Sequence, residues 1–249
     1  MVLPIARNED LGHQAVMALS DEGLRRKPQF HQLDITDKAS IERLRAFLKS
    51  KYGGLDVLIN NAGIAFKQDT TAPFSEQAEV SIRTNYTGTL DVCTALFPLL
   101  RPHARVVNVS SLGSRMSIKK CSPEVKAKFT APDVTIEQCT SYLDDFIAAT
   151  KQGNHEKQGY SNSAYGMSKV GVSVMSMIQA REMNKDSRED IVINACCPGY
   201  VDTDMTSHKG RKIIDQGADT PLYLGLLPPG TKNPKGCFVS DRNVVDWTQ

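Results

Sequence analysis

Three apolar runs, each ending in a cluster of polar residues, constrain the fold of this 249-residue chain more than any other feature. Leu55-Asp56-Val57-Leu58-Ile59 leads into Asn60-Asn61-Ala62-Gly63, Val106-Val107-Asn108-Val109 into Ser110-Ser111, and Ile193-Asn194-Ala195-Cys196-Cys197 into Pro198-Gly199. Short runs of this kind read as buried strands, and helical patterns separate them, which is the alternation a parallel sheet requires. The predicted class is therefore α/β, a doubly wound parallel sheet. In such sheets ligands bind outside the carboxyl ends of the strands, which is where each polar cluster falls.

Between the runs, Asp37 is placed to cap a helix whose Ile41, Leu44 and Leu48 share one face and which ends at Gly53-Gly54. Phe30 to Asp34 reads as a strand before it. A long helix is expected from Ser75 to Leu100, with Pro102 beyond its end, and Val106 opens the next strand. From Ser114 to Ser161 the chain is polar and irregular, too long for a plain connection, with helical spacing from Val134 to Lys151. A helix from about Asn162 to Met183 follows, then a strand from Ile191 to Ala195, the loop Pro228-Pro229-Gly230 and a short last strand at Gly236-Cys237-Phe238-Val239. No internal repeat or low-complexity linker divides the chain, so residues 1–249 read as one domain with a helical insertion at about 114–161.

Tyr165 and Lys169 stand four apart near the start of the Asn162 helix, so they share one face. A cation near a phenol favours the phenolate, lowering its pKa by about one to three units from near 10. Lys169 is thus expected to make Tyr165 a usable acid. The motif alone is weak, because a surface tyrosine and lysine one turn apart is the ordinary case. Its company with Asn85, Ser110-Ser111 and the Asn-Asn-Ala-Gly cluster gives it weight.

With Asn-Asn-Ala-Gly, the serine, Tyr-x-x-x-Lys and Pro-Gly in this order, the chain resembles the short-chain dehydrogenase/reductase family over nearly its whole length. The Phe30 to Ile35 run and the insertion before Tyr165 make it most similar to the monomeric NADPH-dependent carbonyl reductases. That resemblance implies reduction of carbonyl compounds to alcohols, with Ser111 and Tyr165 on the carbonyl oxygen, Tyr165 as proton donor, Lys169 on the nicotinamide ribose and Asn85 orienting a water. Ser110 is the alternative to Ser111. For NADPH it implies Arg7 at the 2′-phosphate, with Ala6 rather than a carboxylate before it. Asp34 and Ile35 would lie at the adenine, Asn61, Ala62 and Gly63 at the adenosine ribose, and Pro198, Gly199, Tyr200, Val201 and Thr203 at the nicotinamide. Phe66, Gln77 and Tyr160 are expected to line the substrate pocket with Ser111. The expected substrates are quinones, aromatic ketones and aldehydes, with glutathione adducts as a further class. A steroid or prostaglandin alcohol oxidised with NADP is the alternative within the same chemistry.

The family opens with a strand, a Gly-rich turn and a helix whose N-terminus receives the cofactor pyrophosphate. No such motif stands in this sequence, and Met1 falls where the family's second strand begins. Met1 to Arg7 is then expected to be that second strand, followed by a helix from about Asp10 to Leu24, and the fold to lack the first strand and helix. Pro4 belongs on a sheet edge. The expectation is an N-terminally shortened form, with a catalytically silent chain unable to bind cofactor as the competing outcome.

A net charge of +2 with interleaved signs offers no basic stripe, so neither nucleic acid nor an anionic membrane is expected as partner. No apolar run approaches the roughly 20 residues of a membrane span, and the N-terminus lacks the parts of a signal peptide. A cytoplasmic location is expected, and the resemblance, through its insertion, implies a monomer. The six cysteines, at positions 93, 121, 139, 196, 197 and 237, show neither Cys-x-x-Cys nor histidine partners at metal spacing. Free thiols and no metal are expected, with Cys196 and Cys197 as small strand-end hydrophobes or, alternatively, pocket-wall residues.

Overall fold

The protein is described here by a computed structural model covering residues 2–22 and 27–249. The expected capping signals act where the sequence places them. Asp37 accepts a hydrogen bond from the Ala39 N–H at 2.9 Å, starting helix α2 (Lys38–Tyr52), which buries Ile41, Leu44 and Leu48. Gly53 ends it at φ +69°, a left-handed conformation that glycine adopts without Cβ strain, and its N–H donates to the Leu48 and Lys49 carbonyls. The chain then enters β3 (Leu55–Asn60).

The sheet is in two pieces. β1 (Ile5–Ala6) pairs in parallel with β2 (His31–Gln32), while β3, β4 (Leu100–Val109), β5 (Val192–Cys197), β6 (Phe238–Ser240) and β7 (Asn243–Val244) form a second sheet in that order. Among the described residues no ladder joins β1 to β3, so β3 is an edge, and Val57 on it is 38% exposed. This is the gap expected of a doubly wound sheet without its central strand. The strand expected over Met1–Arg7 is shorter, and Met1 itself lies outside the described residues. Pro4 lies just before β1, and its carbonyl accepts from the His31 N–H at 3.2 Å. Helix α1 (Glu9–Asp21), capped by Asn8, begins directly after Arg7. Leu24, its expected end, lies outside the described residues.

Elsewhere the structure departs from the sequence expectations in instructive ways. The helix expected over Ser75–Leu100 is α3 (Phe74–Ser81) and α4 (Thr89–Leu96) joined by a π-helical segment (Ile82–Gly88), with a 3-10 turn over Phe97–Leu99. Leu100 and Pro102 belong to β4, whose register against β3 shifts between Leu55 and Val57 and so accommodates the proline at an irregularity. The irregular stretch after Ser114 is more helical than its polarity suggests. It holds α5 (Leu112–Lys120), α6 (Pro123–Thr130) and α7 (Ile136–Lys151). α6 starts with a Ser122 cap and Pro123 in its first turn. α7 starts with a reciprocal capping box between Thr135 and Gln138. Helix α9 (Ile214–Gly225) and the antiparallel strand β7 have no counterpart in the sequence reading.

The insertion helices close the main core against α8 (Ala164–Met183), where Tyr86, Phe129, Leu143, Phe146 and Met167 are fully buried. Gly171 permits the close approach. A Cβ there would lie 2.6 Å from Leu143 Cδ1 and 2.8 Å from Tyr86 Cδ2, inside van der Waals contact.

Candidate active site

β4 delivers two serines to its carboxyl end, and successive residues of an extended chain point to opposite sides. Ser110 turns inward, 2% exposed, with its Oγ 3.0 Å from the Lys169 carbonyl and 2.7 Å from Ser173 Oγ. Ser111 turns outward as the N-cap of α5, accepting from the Gly113 N–H at 3.0 Å. It also stands beside Tyr165: the Cβ position of Gly113 is 3.2 Å from Ser111 Oγ and 3.3 Å from Tyr165 Cε1. Of the two serines, only Ser111 faces the tyrosine. Gly113→Ala is expected to wedge Ser111 and Tyr165 apart by a few tenths of an ångström and to lower turnover on the order of tenfold. Its unfolding midpoint should stay near that of the parent, checked by steady-state kinetics beside thermal melts.

Ser163 caps α8 through the Gly166 N–H at 3.1 Å and so sets the rotation of the helix. Lys169 is 4% exposed, donates to the Val109 carbonyl at 2.8 Å, and has no carboxylate among its partners. Its ammonium lies 5.8 Å from the centre of the Tyr165 ring. Burial pushes the Lys169 pKa down to about 8, partly opposed by the neighbouring Cys196 and Cys197. Burial pushes the Tyr165 phenol above its usual value, with the Ser111 hydroxyl pulling it down and Cys197 raising it. This corrects the expectation of an acidified phenol. Lys169 sits over the ring and is directed to Val109 rather than held at the phenol oxygen, so desolvation outweighs the cation.

Asn85 lies in the π-helical segment, 1% exposed. Its Oδ1 accepts from the Ile64 N–H at 2.7 Å, and its Nδ2 donates to the Ile64 carbonyl and to Ser168 Oγ, both at 2.9 Å. The amide therefore clasps the loop after β3. A single-turn π insertion within an α-helix is often found at functional sites. Asn85 Oδ1 and Lys169 Nζ converge on Gly63, lying 3.0 Å and 3.5 Å from the position its Cβ would take.

A family model described as short chain dehydrogenase matches residues 1–137 and 147–213. The chain belongs to the short chain dehydrogenase family. Within the family, it is 51% identical over 247 residues to Carbonyl reductase [NADPH] 1 of Rattus norvegicus and 50% identical to that of Homo sapiens, covering 99% of this chain and 88% of each relative. Salutaridine reductase of Papaver somniferum superposes with a TM-score of 0.83 at 27% identity, covering 97% of this chain and 91% of that one.

In this short chain dehydrogenase the residues expected at the cofactor fall into two groups. Arg7 is exposed at the end of β1, where its charge helps to hold the Asp34 carboxyl below its usual range. The main cause of that shift is the hydrogen bonding of Asp34 to Thr36. Ile35 follows, its carbonyl 2.8 Å from the Cβ position of Gly88. Asn61 and Ala62 are exposed ahead of Gly63. Across the cleft, Gly199 turns at φ +87° with its N–H donating to Cys197 Sγ at 3.3 Å and the Lys212 side chain against it. Tyr200 is 50% exposed, and Val201 and Thr203 are half-buried in the loop beyond.

Two expected substrate residues make contacts within the fold. Tyr160 is 5% exposed in the core, its ring 5.4 Å from that of Phe146 and its hydroxyl directed to the Tyr142 carbonyl. It lines a hollow of about 410 Å³ with Lys120, Ser122 and Glu156 rather than the cleft of Tyr165. The Gln77 amide donates to the Ala72 carbonyl at 2.8 Å and serves its own loop. Phe66 stays on the loop after β3, half-buried. Cys196 is fully buried, and burial raises its thiol to about 12, the condition of an inert structural cysteine. Sequence reasoning missed Gly113 and Ser168. The glycine two places after the capping serine was the available signal for the first, whereas Ser168 has none.

Proposed function

We propose that this chain is an oxidoreductase that reduces carbonyl compounds to alcohols with NADPH. The near full-length similarity to proteins named NADPH carbonyl reductases carries the reading, and the meeting of Ser111, Tyr165 and Lys169 at the end of β4 supports it. The residues present fit both ends of the cofactor. A buried ammonium with one acceptor has two N–H bonds left for a ribose diol, and Gly63 keeps clear the space beside it that a Cβ would fill. Arg7 would take the 2′-phosphate as a charge-assisted contact.

Bound NADPH supplies a hydride to the carbonyl carbon. As the carbonyl π electrons move to oxygen, the Ser111 and Tyr165 hydroxyls hydrogen-bond the growing charge. Tyr165 gives its proton to that oxygen, and Lys169, 5.8 Å from the centre of its ring, supports the phenolate until it is reprotonated. Asn85 acts by holding the Ile64 loop and Ser168, and with them the spacing between Gly63 and Lys169. Pro198, Gly199, Tyr200, Val201 and Thr203 would border the nicotinamide, Asp34 and Ile35 the adenine, and Asn61, Ala62 and Gly63 the adenosine ribose. Quinones, aromatic ketones, aldehydes and glutathione adducts are the substrates that this reading offers to Phe66 and Ser111. A cytoplasmic monomer accords with α7 packed over α8, and with the lack, among the described residues, of a helix long and apolar enough to cross a membrane.

The divided sheet favours a second reading, a chain that keeps the reductase side chains without binding the cofactor. NADPH fluorescence titration of the 249-residue chain, followed by menadione turnover, separates the two. Saturable binding with turnover supports the reductase; no binding at millimolar NADPH sinks it in favour of the second reading.

A further inference from the structure

Lys67 links two loops at the carboxyl end of the sheet. It stands on the loop after β3, and its Nζ donates to the Asp204 carbonyl and, at 3.2 Å, to Ser207 Oγ on the loop after β5. β4 lies between β3 and β5 in the sheet, so this bridge joins the loops that flank the carboxyl end of β4, the end at which Ser111 follows the strand.

The lobe that receives Lys67 is tied at its base. The Asp202 N–H donates to the Lys212 carbonyl at 2.8 Å, and a Cβ on Gly210 would lie 2.0 Å from the Val201 carbonyl carbon. Its tip is held differently. Ser207 and His208 are consecutive non-glycine residues at φ +52° and +55°, a conformation that costs free energy and persists only where contacts impose it. The contacts are polar: His208 Nδ1 lies 2.8 Å from Asp202 Oδ1, its Nε2 2.9 Å from Asp204 Oδ1, and Thr206 Oγ1 donates to the Val201 and Thr203 carbonyls. Asp202, Asp204, Met205, Ser207, His208 and Lys67 are all exposed, so no apolar packing fixes the roof they form. A roof held by exposed hydrogen bonds opens at low cost.

We propose that Lys67 is a specificity-determining residue for the reduction: its bridge to the Asp204–Ser207 tip roofs the Ser111–Tyr165 cleft and disfavours bulky carbonyl compounds relative to small ones. The proposal rests on the reductase reading. His208 sets how firmly the tip stays formed, because the carboxylates of Asp202 and Asp204 that bracket it hold its pKa above the ordinary histidine value. Its charge supports the closed tip at low pH and is lost as pH rises through that raised value, so the discrimination relaxes on going alkaline.

The test compares Lys67→Ala, Lys67→Arg and His208→Ala with the parent in two measurements. The first is the ratio of kcat/KM for a bulky aromatic ketone over that for propanal, with NADPH affinity measured alongside. Lys67→Ala is expected to raise the ratio on the order of fivefold at unchanged NADPH affinity. Lys67→Arg, which keeps the bridge, should restore it, and His208→Ala should raise it at pH 6 more than at pH 9. The second is hydrogen–deuterium exchange of residues 64–70 and 203–208, expected to quicken in Lys67→Ala. An unchanged ratio overturns the proposal. If the parent reduces neither carbonyl while exchange quickens, the failure lies in the reductase reading; unchanged exchange overturns the bridge itself.

Discussion

Tyr165→Phe is expected to lower kcat for carbonyl reduction by about 10²–10⁴-fold, the usual contribution of a positioned general acid. The ring remains to pack beside Ser111 and Lys169, so NADPH affinity and the thermal midpoint should stay within error of the parent. The large effect follows from position: the other hydroxyl at that point, Ser111, is engaged as the cap of α5. Burial keeps the phenol protonated over the working pH range, which suits a donor. Single-turnover kinetics with saturating NADPH would check the assignment. A loss smaller than tenfold would move the proton donor to another group.

Lys169→Met should abolish efficient turnover and yet make the protein more stable. Moving the ammonium pKa from about 10.4 in an unfolded chain to about 8 in the folded one disfavours folding by about 3 kcal/mol, at ~1.4 kcal/mol for each tenfold in protonation. A methionine of similar length removes that term and leaves the Val109 carbonyl without its donor, at about 1 kcal/mol. The net gain is then about 2 kcal/mol, read as a higher denaturant midpoint at pH 7. The sign of the pH dependence is fixed by the same shift. Between about pH 8 and 10.4 the unfolded chain binds more protons at this residue, so this contribution raises the parent's stability as pH increases and vanishes in Lys169→Met. Carbonyl reduction by the parent should run in the opposite direction, declining above about pH 8 as the ammonium is lost. A variant less stable than the parent at pH 7 would show that the Val109 contact outweighs the desolvation.

How much of this was legible depended on whether the information was local. Asp37, Gly53 and the Ile41-Leu44-Leu48 stripe define α2 by themselves, and apolar runs ending in polar clusters mark β3, β4 and β5 because each strand is flanked by its own ligand loop. The Tyr165–Lys169 spacing is likewise a property of one helix. The π-helical segment is not local in this sense. It depends on Asn85 reaching Ile64 and Ser168 in other elements, and Ile82–Gly88 has no proline, and a glycine only as its last residue, to betray the extra residue per turn. α5 and α6 were hidden by polar faces, although Ser122-Pro123 was a readable start signal, and Pro102 masked the early start of β4 by sitting at a register irregularity. Tyr160 shows a related limit: a residue's neighbourhood in sequence fixes its element, while its rotation into core or cleft is decided by tertiary partners such as Phe146. The direction of the Tyr165 shift was illegible because desolvation is a sum over distant atoms.

The seam between the two parts of the sheet changes what a nucleotide would do for this protein. Arg7, the cation expected at the 2′-phosphate, stands on the two-stranded piece, while Lys169 and Gly63 stand with the five-stranded one. In a continuous sheet the backbone holds such contacts at a fixed distance before any ligand arrives. Among the described residues no ladder does so, and a dinucleotide touching both ends would itself act as the tie across the seam. Part of its binding free energy would then go into joining the pieces, so affinity for NADPH and the cohesion of the segment around Arg7 become one linked quantity that rises and falls with nucleotide concentration.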